Sequence, residues 1–416
     1  MEKSTSHLLL SFISFFCLFP TISTSGGSAY EISKLVNDIT KTNPGKLIRP
    51  VRRHHDAVSV EVHFKLMSIK GVDAKSQRLV LTAETTLNWV DNYIKWDPAQ
   101  YNNIRSLLLD QNEVWTPDIH LYNSLDSGDQ PSCSGLVRYS SNGKAQCRQR
   151  RQFSAFCPVS LRKFPFDEHR CILKFLSMTQ DGYMVDVYAM DTDINFEKYL
   201  PSRDWIVSNS SAKREVIYYS CCVEPFPEVN YNITIKRQSA AYGLTFVAPG
   251  VVLALLVPFV FLSLPFTGDK TGLAASIQVS YILLVVAMMQ VEPAIISSVP
   301  YIVMYYIVNF VLVGISLGIS LLIASSFRNC KNKPPKCLKK LVRRYIPYKK
   351  WIPSDDMVLD DVTSGTHSRS QEKKSSLSRE EMWIALAILI DRILFFVFFA
   401  ISLLITIALF ILPAVL

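Results

Sequence analysis

Four long apolar stretches dominate the second half of the chain, at approximately residues 242–264, 271–291, 301–325 and 383–412. A helix needs about 20 apolar residues to cross the hydrocarbon core of a membrane. Such a helix also satisfies its own backbone hydrogen bonds, which the membrane interior requires. The pattern therefore predicts four transmembrane helices.

Residues 28–240 follow a different pattern, in which apolar and polar positions alternate. The segments VSVEVHFKLMSI (58–69) and RLVLTAETTLNWV (78–90) are examples, and a period of two is typical of strands with one buried face. Turn signals such as Asn142-Gly143 and Asp181-Gly182 separate the segments, and a helical period is visible only near 29–43. We predict an extracellular Ig-like β-sandwich of about 200 residues, followed by a four-helix transmembrane domain.

The first 27 residues have the features of a secretory signal peptide: one lysine, an apolar run at 8–19, and then small residues. Secretion would place the sandwich outside the cell, and four crossings would return the C-terminus to that side. The predicted domains are the signal peptide (1–27), the extracellular domain (28–240), transmembrane helices one to three (241–326), a cytoplasmic loop (327–380), and the fourth helix with an extracellular C-terminus (381–416).

The charge distribution supports this orientation. The net charge is +9, but ten basic residues and no acidic residue lie between Ser325 and Ile352, beside the third apolar stretch. Basic residues next to membrane helices favour the cytoplasmic side, so we prefer a plasma-membrane protein to a nucleic-acid-binding one. The basic segment either lies along the lipids of the inner leaflet as an amphipathic helix or is a solvated tether.

Cysteines outside the cell are expected to pair. Cys157 and Cys171 close a loop of moderate size, and Cys133 and Cys147 are placed evenly about the turn at 140–143. The remaining pair, Cys221 and Cys222, is adjacent in sequence. No CxxC motif and no histidine at ligand spacing indicates a metal site, and we predict no cofactor. The chain also lacks the P-loop, GxSxG and HExxH motifs, which argues against an enzyme.

Several motifs together resemble those of the Cys-loop receptors, the pentameric ligand-gated ion channels. The spacing of Cys157 and Cys171 around Phe164-Pro165-Phe166-Asp167 resembles the loop that names the family, and Trp115-Thr116-Pro117-Asp118 also matches. The run Tyr218-Tyr219-Ser220-Cys221-Cys222 resembles the α-type subunits of nicotinic acetylcholine receptors. The resemblance implies a homo- or hetero-pentamer that passes monovalent cations and binds a small-molecule ligand between subunits.

In that family an aromatic cage holds the cationic agonist through cation–π attraction. The resemblance places Tyr122, Tyr219 and Phe226 in this cage and Cys221-Cys222 at the tip of the loop that closes over it. Two expected tryptophans are replaced, one by Met178 and the other, on the neighbouring subunit's face, by Glu84. Glu84 either attracts a cationic ligand directly or points to solvent. Met178 suits irregular apolar surfaces, so we expect a bulkier or more amphiphilic ligand than a small quaternary amine.

The resemblance also assigns residues to the layer that couples the ligand domain to the membrane. Asp73 belongs to one coupling loop and Phe164-Pro165-Phe166 to another. Arg237 precedes the first helix and is expected to pair with Asp73 or with Asp167. The alternative is a surface ion pair of little energetic value.

The second helix is implied to line the pore. At helical spacing, one face carries Gly272, Ser276, Val279, Leu283, Val286 and Gln290. Rings of Val279 and Leu283 could close the pore by dewetting. Asp269 aligns with the acidic ring of cation-conducting members, so we expect cation selectivity, while Lys270 is expected to point away from the pore.

Two alternatives stay open. The chain could be an accessory or non-conducting subunit that needs partner subunits, since its cage is altered. It could also be a channel of this fold that responds to protons or to an amphiphile. Asn209 and Asn232 begin N-glycosylation sequons on the predicted extracellular side.

Overall fold

The computed structural model describes residues 29–126, 131–263, 269–291, 299–328 and 379–415. The predicted signal peptide and nearly all of the basic cytoplasmic segment lie outside the described residues. The chain forms a β-sandwich preceded by one helix, α1 (Ala29–Thr42), and followed by membrane helices. This order confirms the predicted fold class.

Ten strands build the sandwich within the described residues. They are β1 (Val58–Asp73), β2 (Arg78–Val90), β3 (Ser106–Asp110), β4 (Ile119–Leu121), β5 (Leu136–Ser140), β6 (Lys144–Phe156), β7 (Glu168–Ser177), β8 (Val185–Ala189), β9 (Trp205–Ile217) and β10 (Phe226–Arg237). One sheet has six strands in the order β3-β5-β6-β2-β1-β8, and the other has four in the order β4-β7-β10-β9.

The alternating pattern is what packs the two sheets. In β2, Leu79, Leu81 and Ala83 are fully buried while the intervening residues face outward. An aromatic group fills the centre of the core: Phe64 lies 5.0 Å from Tyr231 and 5.7 Å from Phe175 between ring centroids. Burial of such large apolar side chains is the main stabilising contribution in a sandwich.

The turn Asn142-Gly143 joins β5 to β6, as its sequence predicts. Gly143 has a φ of +88°, and a Cβ at this position would lie 2.4 Å from the carbonyl oxygen of Asp91. Only glycine combines that backbone conformation with so close an approach. The turn therefore sets the register of the hairpin that carries Cys147.

The four described membrane helices are α2 (Ala240–Phe261), α3 (Asp269–Val291), α4 (Tyr301–Arg328) and α5 (Arg379–Val415). Each is long and apolar enough to cross a membrane. Helix α2 ends three residues before the end predicted from the sequence. Its last residues form a 3₁₀ turn (Val257–Phe261) that contains Pro258. Pro258 lacks the N–H that would continue the α-helical ladder.

Tyrosine hydroxyls connect three of these helices. The Tyr306 hydroxyl donates to the carbonyl of Phe246 at 2.6 Å, and the Tyr281 hydroxyl donates to the carbonyl of Gly250 at 3.2 Å. The Phe246 carbonyl lies in a π-helical segment of α2 (Gly243–Val247), where the regular ladder is interrupted. Polar groups that would otherwise be unsatisfied in the bundle thus tie α2 to α3 and α4.

Candidate functional site

Three aromatic side chains predicted to form the ligand cage lie together at one end of the four-stranded sheet. The ring of Tyr219 meets the ring of Phe226 edge to face, with centroids 5.3 Å apart. The Tyr122 side chain lies close enough to the Tyr219 hydroxyl to raise its pKa. Tyr122 is 52% exposed and Tyr219 is 38% exposed, so their rings line an open surface rather than the sandwich core. These residues are called the aromatic wall below.

The chemistry of the aromatic wall is that of neutral phenols. Burial, reinforced by Tyr122 and Glu228, raises the pKa of Tyr219 above its ordinary value. Tyr219 therefore keeps its proton at neutral pH and presents an electron-rich ring. Such rings attract organic cations through their quadrupole.

The loop between β9 and β10 ends in the disulfide Cys221–Cys222. Only Ser220 separates it from Tyr219, and the Cys222 N–H donates to the Tyr219 carbonyl at 3.2 Å. The disulfide thus stands at the tip of a loop whose base carries both Tyr219 and Phe226. A role for this loop in closing over a ligand stays a prediction.

Met178 lies on the loop after β7, with 56% of its surface exposed. Continuing the pairing of β7 with β10 beyond Phe175 and Val229 brings Met178 level with Phe226. Asp118 fixes this loop, because its carboxylate accepts from the Ser177 hydroxyl at 2.6 Å and from the Thr179 N–H at 2.8 Å. Met178 therefore lies at the same end of the four-stranded sheet as the aromatic wall, and its part in the pocket stays a prediction.

Glu228 is a polar residue behind the aromatic wall that was not predicted from the sequence. Glu228 is buried and accepts from the Asn230 amide at 2.7 Å and from Lys174 Nζ at 3.4 Å. Phe226, Glu228 and Asn230 alternate along β10, so they share one face of the strand. That alternation in the run FPEVN is the signal that could have identified Glu228. A carboxyl group close to the aromatic wall favours a cationic ligand.

Glu84 lies on β2 of the six-stranded sheet, and therefore not on the sheet that carries the aromatic wall. Its side chain is 20% exposed, and its Oε1 lies 3.7 Å from the Nε of Arg148. The sequence offered two alternatives, attraction of a cationic ligand and exposure to solvent. Neither describes this environment fully, because Glu84 is half-buried and its side chain faces the guanidinium of Arg148. A role for Glu84 in binding stays a prediction.

The three predicted disulfides are all present, with Cα–Cα distances of 5.6 Å for Cys133–Cys147, 4.8 Å for Cys157–Cys171 and 3.8 Å for Cys221–Cys222. Cys147 lies on β6 and Cys133 precedes β5. The first bridge therefore closes the β5–β6 hairpin in the buried core, as the sequence indicated.

Several of the residues predicted to couple the two domains gather where the sandwich meets α2. Arg237 donates to Asp167 at 2.8 Å through Nε and at 3.1 Å through Nη2, and both side chains are buried. The Arg237 guanidinium also lies 4.4 Å from the Trp205 ring and 5.0 Å from the Phe164 ring. This environment differs from a surface ion pair, because the charges are desolvated and enclosed by aromatic rings.

Asp167 is therefore the acid that pairs with Arg237. Burial alone would raise the pKa of Asp167, but hydrogen bonds from His169 and Arg237 hold it below its ordinary value. Asp73, the other candidate, is engaged within its own turn, where it accepts from the Ser76 hydroxyl at 2.6 Å.

The predicted coupling segment Phe164-Pro165-Phe166 is also at this junction. The Phe164 ring lies 5.7 Å from the ring of Tyr242, in the first turns of α2. Pro165 is buried next to it, and Phe166 is 48% exposed. Phe164 and Arg237 thus give the Cys157–Cys171 loop a direct contact with the membrane domain.

The face of α3 that was predicted to line the pore is exposed in the single chain. All six predicted residues are exposed, namely Gly272, Ser276, Val279, Leu283, Val286 and Gln290. The opposite face packs into the bundle through Ala274, Ile277, Tyr281 and Met288. Asp269 is exposed at the first residue of α3, whereas Lys270 is buried and bound to Asp391. The structure thus separates these two charges onto different sides of the helix.

The family model for the neurotransmitter-gated ion-channel ligand-binding domain matches residues 32–239, half of the chain. This chain belongs to the neurotransmitter-gated ion-channel family. The match covers the whole sandwich, including the aromatic wall and Arg237. The receptor is a multi-pass membrane protein of the plasma membrane, with four helices that can span the bilayer.

Similar proteins include acetylcholine receptor subunits of the α type. The receptor is 27% identical over 345 residues to acetylcholine receptor subunit alpha-L1 of Schistocerca gregaria, covering 80% of this chain and 62% of that one. It is 30% identical over 281 residues to the alpha-type subunit acr-16 of Caenorhabditis briggsae, with 67% and 56% covered. Against neuronal acetylcholine receptor subunit alpha-10 of Rattus norvegicus the identity is 29% over 316 residues, with 76% and 69% covered.

The match thus spans between about half and two-thirds of the length of most of these relatives. All of these relatives are acetylcholine receptor subunits, and none of them is an enzyme.

Proposed function

We propose that the receptor is a subunit of a pentameric ligand-gated ion channel that is selective for cations and opened by an extracellular ligand. The observation that carries this proposal is the aromatic wall, in which Tyr219 contacts both Tyr122 and Phe226 at the base of the disulfide-tipped loop. Its open side leaves room for a neighbouring subunit to complete the pocket.

The ligand we propose is cationic and amphiphilic. The rings of the aromatic wall and the carboxylate of Glu228 favour an ammonium group. Met178 offers a flexible apolar surface in place of a flat ring. The neighbouring subunit would contribute Glu84, whose charge is offset by the adjacent Arg148. With Met178 and Glu84 in place of two tryptophans, the pocket would attract a small quaternary amine less strongly.

The exposed face of α3 supports the pore. Five copies would place rings of Asp269 at one end and rings of Val279 and Leu283 further along. A ring of carboxylates attracts cations and repels anions, and apolar rings can gate by dewetting. The burial of Lys270 supports this assignment, since an exposed lysine next to Asp269 would offset the acidic ring.

The deciding experiment is voltage-clamp recording from cells that express the receptor alone. We expect alkylammonium amphiphiles to evoke a current that reverses at the equilibrium potential of monovalent cations. Tyr219→Ala should abolish the response at unchanged surface expression, and Asp269→Ala should lower the cation-to-anion permeability ratio. A current that Tyr219→Ala leaves unchanged would contradict the proposed pocket.

A second function, an accessory subunit that requires partners, is favoured by the two replaced tryptophans at Met178 and Glu84. Surface-expressed receptor without current, together with current on co-expression with an α-type acetylcholine receptor subunit, would support it. A proton-evoked current that persists in Tyr219→Ala would instead support the proton-gated alternative.

A further inference from the structure

A cavity of about 470 Å³ lies at the side of the sandwich, between strand β9 and the loop that connects β8 to β9 (190–204). Strands β8 and β9 are each the last strand of their sheet, so the cavity lies where both sheets end. Phe226 of the aromatic wall pairs with the last residue of β9, whereas the cavity begins at the first residue, Trp205. The cavity is called the edge cavity below, and it lies at the opposite end of β9 from the aromatic wall.

The β8–β9 loop is anchored at both ends. Near its start, the Ala212 N–H donates to the Thr192 carbonyl at 2.9 Å, and at its end the Gln238 N–H donates to the Asp204 carbonyl at 2.8 Å. Between these anchors the loop runs along β1, where the Leu200 N–H donates to a β1 carbonyl at 2.7 Å. The edge cavity is therefore the space that the fold leaves between the anchored loop and β9.

The lining of the edge cavity combines aromatic rings with neutral polar groups. The rings of Phe196 and Tyr199 meet edge to face with centroids 5.8 Å apart, and both side chains are half-buried. Ser202 and Gln238 line the same cavity and bring a hydroxyl and an amide. A sugar ring has an apolar C–H face and a rim of hydroxyl groups, so it can pack on an aromatic ring and hydrogen-bond to such side chains. The lining therefore suits a carbohydrate.

The edge cavity also contains an attachment point for carbohydrate. Asn209 lines the cavity, is exposed, and begins the sequon Asn209-Ser210-Ser211. The pairing of β9 with β10 shifts register next to Asn209, so Asn209 lies at a β-bulge, a feature that re-aims side chains at sheet edges. The Ser210 hydroxyl donates to the Asp193 carboxylate and ties the sequon to the β8–β9 loop.

A sugar linked to Asn209 would not need high intrinsic affinity for the edge cavity. A short tether gives a bound group an effective concentration in the millimolar range. Contact with one or two aromatic rings is then sufficient to keep the sugar in place. The sugar would also cover the free edge of β9, which unpaired strands otherwise expose to other chains.

We propose that the edge cavity is a carbohydrate site, occupied by the first N-acetylglucosamine of an N-linked glycan on Asn209, which joins the β8–β9 loop to β9. The volume of the cavity is in the range of small-molecule sites. The proposal requires that the sequon at Asn209 is used. It does not depend on the proposed channel function, because it concerns neither the aromatic wall nor the pore.

The first test measures how fast the glycan is removed from full-length receptor purified from eukaryotic cells. Peptide N-glycosidase cuts the bond between Asn209 and the first sugar, so it must reach the part of the glycan that the cavity would hold. We expect Phe196→Ala to speed removal from the folded receptor about tenfold, because the sugar loses its aromatic contact. Leu200→Ala changes an exposed residue of the same loop that does not line the cavity, and it should leave the rate unchanged.

The second test is hydrogen exchange of the β8–β9 loop, followed by mass spectrometry. Receptor whose glycan is trimmed to a single sugar should exchange as slowly as the untrimmed receptor, whereas Asn209→Gln should exchange about tenfold faster. Asn232→Gln should exchange like the native receptor. Phe196→Ala can loosen the loop by itself, so the effect of the glycan is compared with and without Asn209→Gln in each background. In the Phe196→Ala background this effect should disappear.

Three results would overturn the proposal. The first is a native receptor without a glycan on Asn209. The second is equal removal of the glycan from the native receptor and from Phe196→Ala. The third is unchanged exchange of the β8–β9 loop in Asn209→Gln.

Discussion

Lys270 and Asp391 join α3 to α5 through a contact of 2.5 Å between Nζ and Oδ2, and both side chains are almost completely buried. The adjacent acid, Asp269, is exposed. The ion pair therefore anchors the beginning of α3, the proposed pore helix, to α5. Asp269 stays exposed on the side proposed to face the pore.

Loss of one partner of this pair should destabilise the membrane domain. Lys270→Met or Asp391→Leu leaves an uncompensated buried charge, which costs about 3–5 kcal/mol. The measurement is size-exclusion chromatography after heating samples to a series of temperatures. We expect the native peak of each variant to disappear at a clearly lower temperature than that of the native receptor. The double variant should recover most of the loss, because it removes both charges. Asp269→Asn is the matched control and should leave this profile unchanged; equal instability of Asp269→Asn would contradict the assigned roles.

Gly250 allows α2 and α4 to approach each other closely. A Cβ at position 250 would lie 2.5 Å from Cε1 of Tyr306, and the Tyr306 ring is held by its hydrogen bond to Phe246. We expect Gly250→Ala to destabilise the receptor by about 1–3 kcal/mol through overpacking. Gly243→Ala, where nothing lies within 4 Å of the new methyl group, is the control. Thermal denaturation in detergent distinguishes the two, and equal behaviour would argue against the tight contact.

Arg237 should contribute more to the stability of the receptor than an exposed arginine in the same domain. Arg237→Gln leaves Asp167 buried without its cation, and we expect a stability loss of about 3–5 kcal/mol. Arg214→Gln breaks a pair with Asp186 in which both side chains are over one-third exposed, so a loss below about 1 kcal/mol is expected. The added change Asp167→Asn should partly rescue Arg237→Gln but not Arg214→Gln. Normal surface expression with unchanged opening in Arg237→Gln would show that the pair has no part in coupling.

The same pair gives a pH dependence of known sign. The pKa of folded Asp167 lies below its ordinary value of 3.8. Its stabilising contribution is therefore fully present above that ordinary value and is lost as the pH falls through the folded pKa. Thermal stability measured from pH 7 to pH 3 should show no loss from this group until the pH drops below about 4. Asp167→Asn should remove that part of the acid-induced loss, whereas Glu113→Gln should retain it.

The two glycosylation sequons differ in access. Asn209 is exposed, whereas Asn232 is half-buried and donates to the Ser211 hydroxyl at 3.2 Å. The hydroxyl residue of the second sequon, Thr234, is buried. We expect a glycan on Asn209 alone, since one on Asn232 would break a cross-strand hydrogen bond. Mass spectrometry before and after glycosidase treatment should show one glycan, lost in Asn209→Gln and kept in Asn232→Gln.

Much of the fold could be predicted from local patterns. The alternation in β1 and β2, the apolar runs of the helices, and the turn at Asn142-Gly143 each reflect a period or a backbone preference that acts over a few residues. The disulfides followed from spacing together with the family resemblance. Tyr122, Tyr219 and Phe226 could be assigned because the motifs around them are intact.

The sequence alone left open which charges meet. It offered Asp73 and Asp167 equally to Arg237, and it did not indicate Glu228 or Lys174. These groups are separated by tens of residues along the chain and become neighbours only when strand register and sheet order are set. The same holds for Glu84, whose partner Arg148 comes from β6.

The sequence by itself determined the two-part architecture, the membrane spans and the residue types of the aromatic wall, because hydrophobic period and segment length are properties of contiguous residues. Only the tertiary structure decided that Asp167 binds Arg237 and that Lys270 turns inward to Asp391. The reason is that the energy of a charge depends on its partners and on its burial, and packing between distant segments sets both.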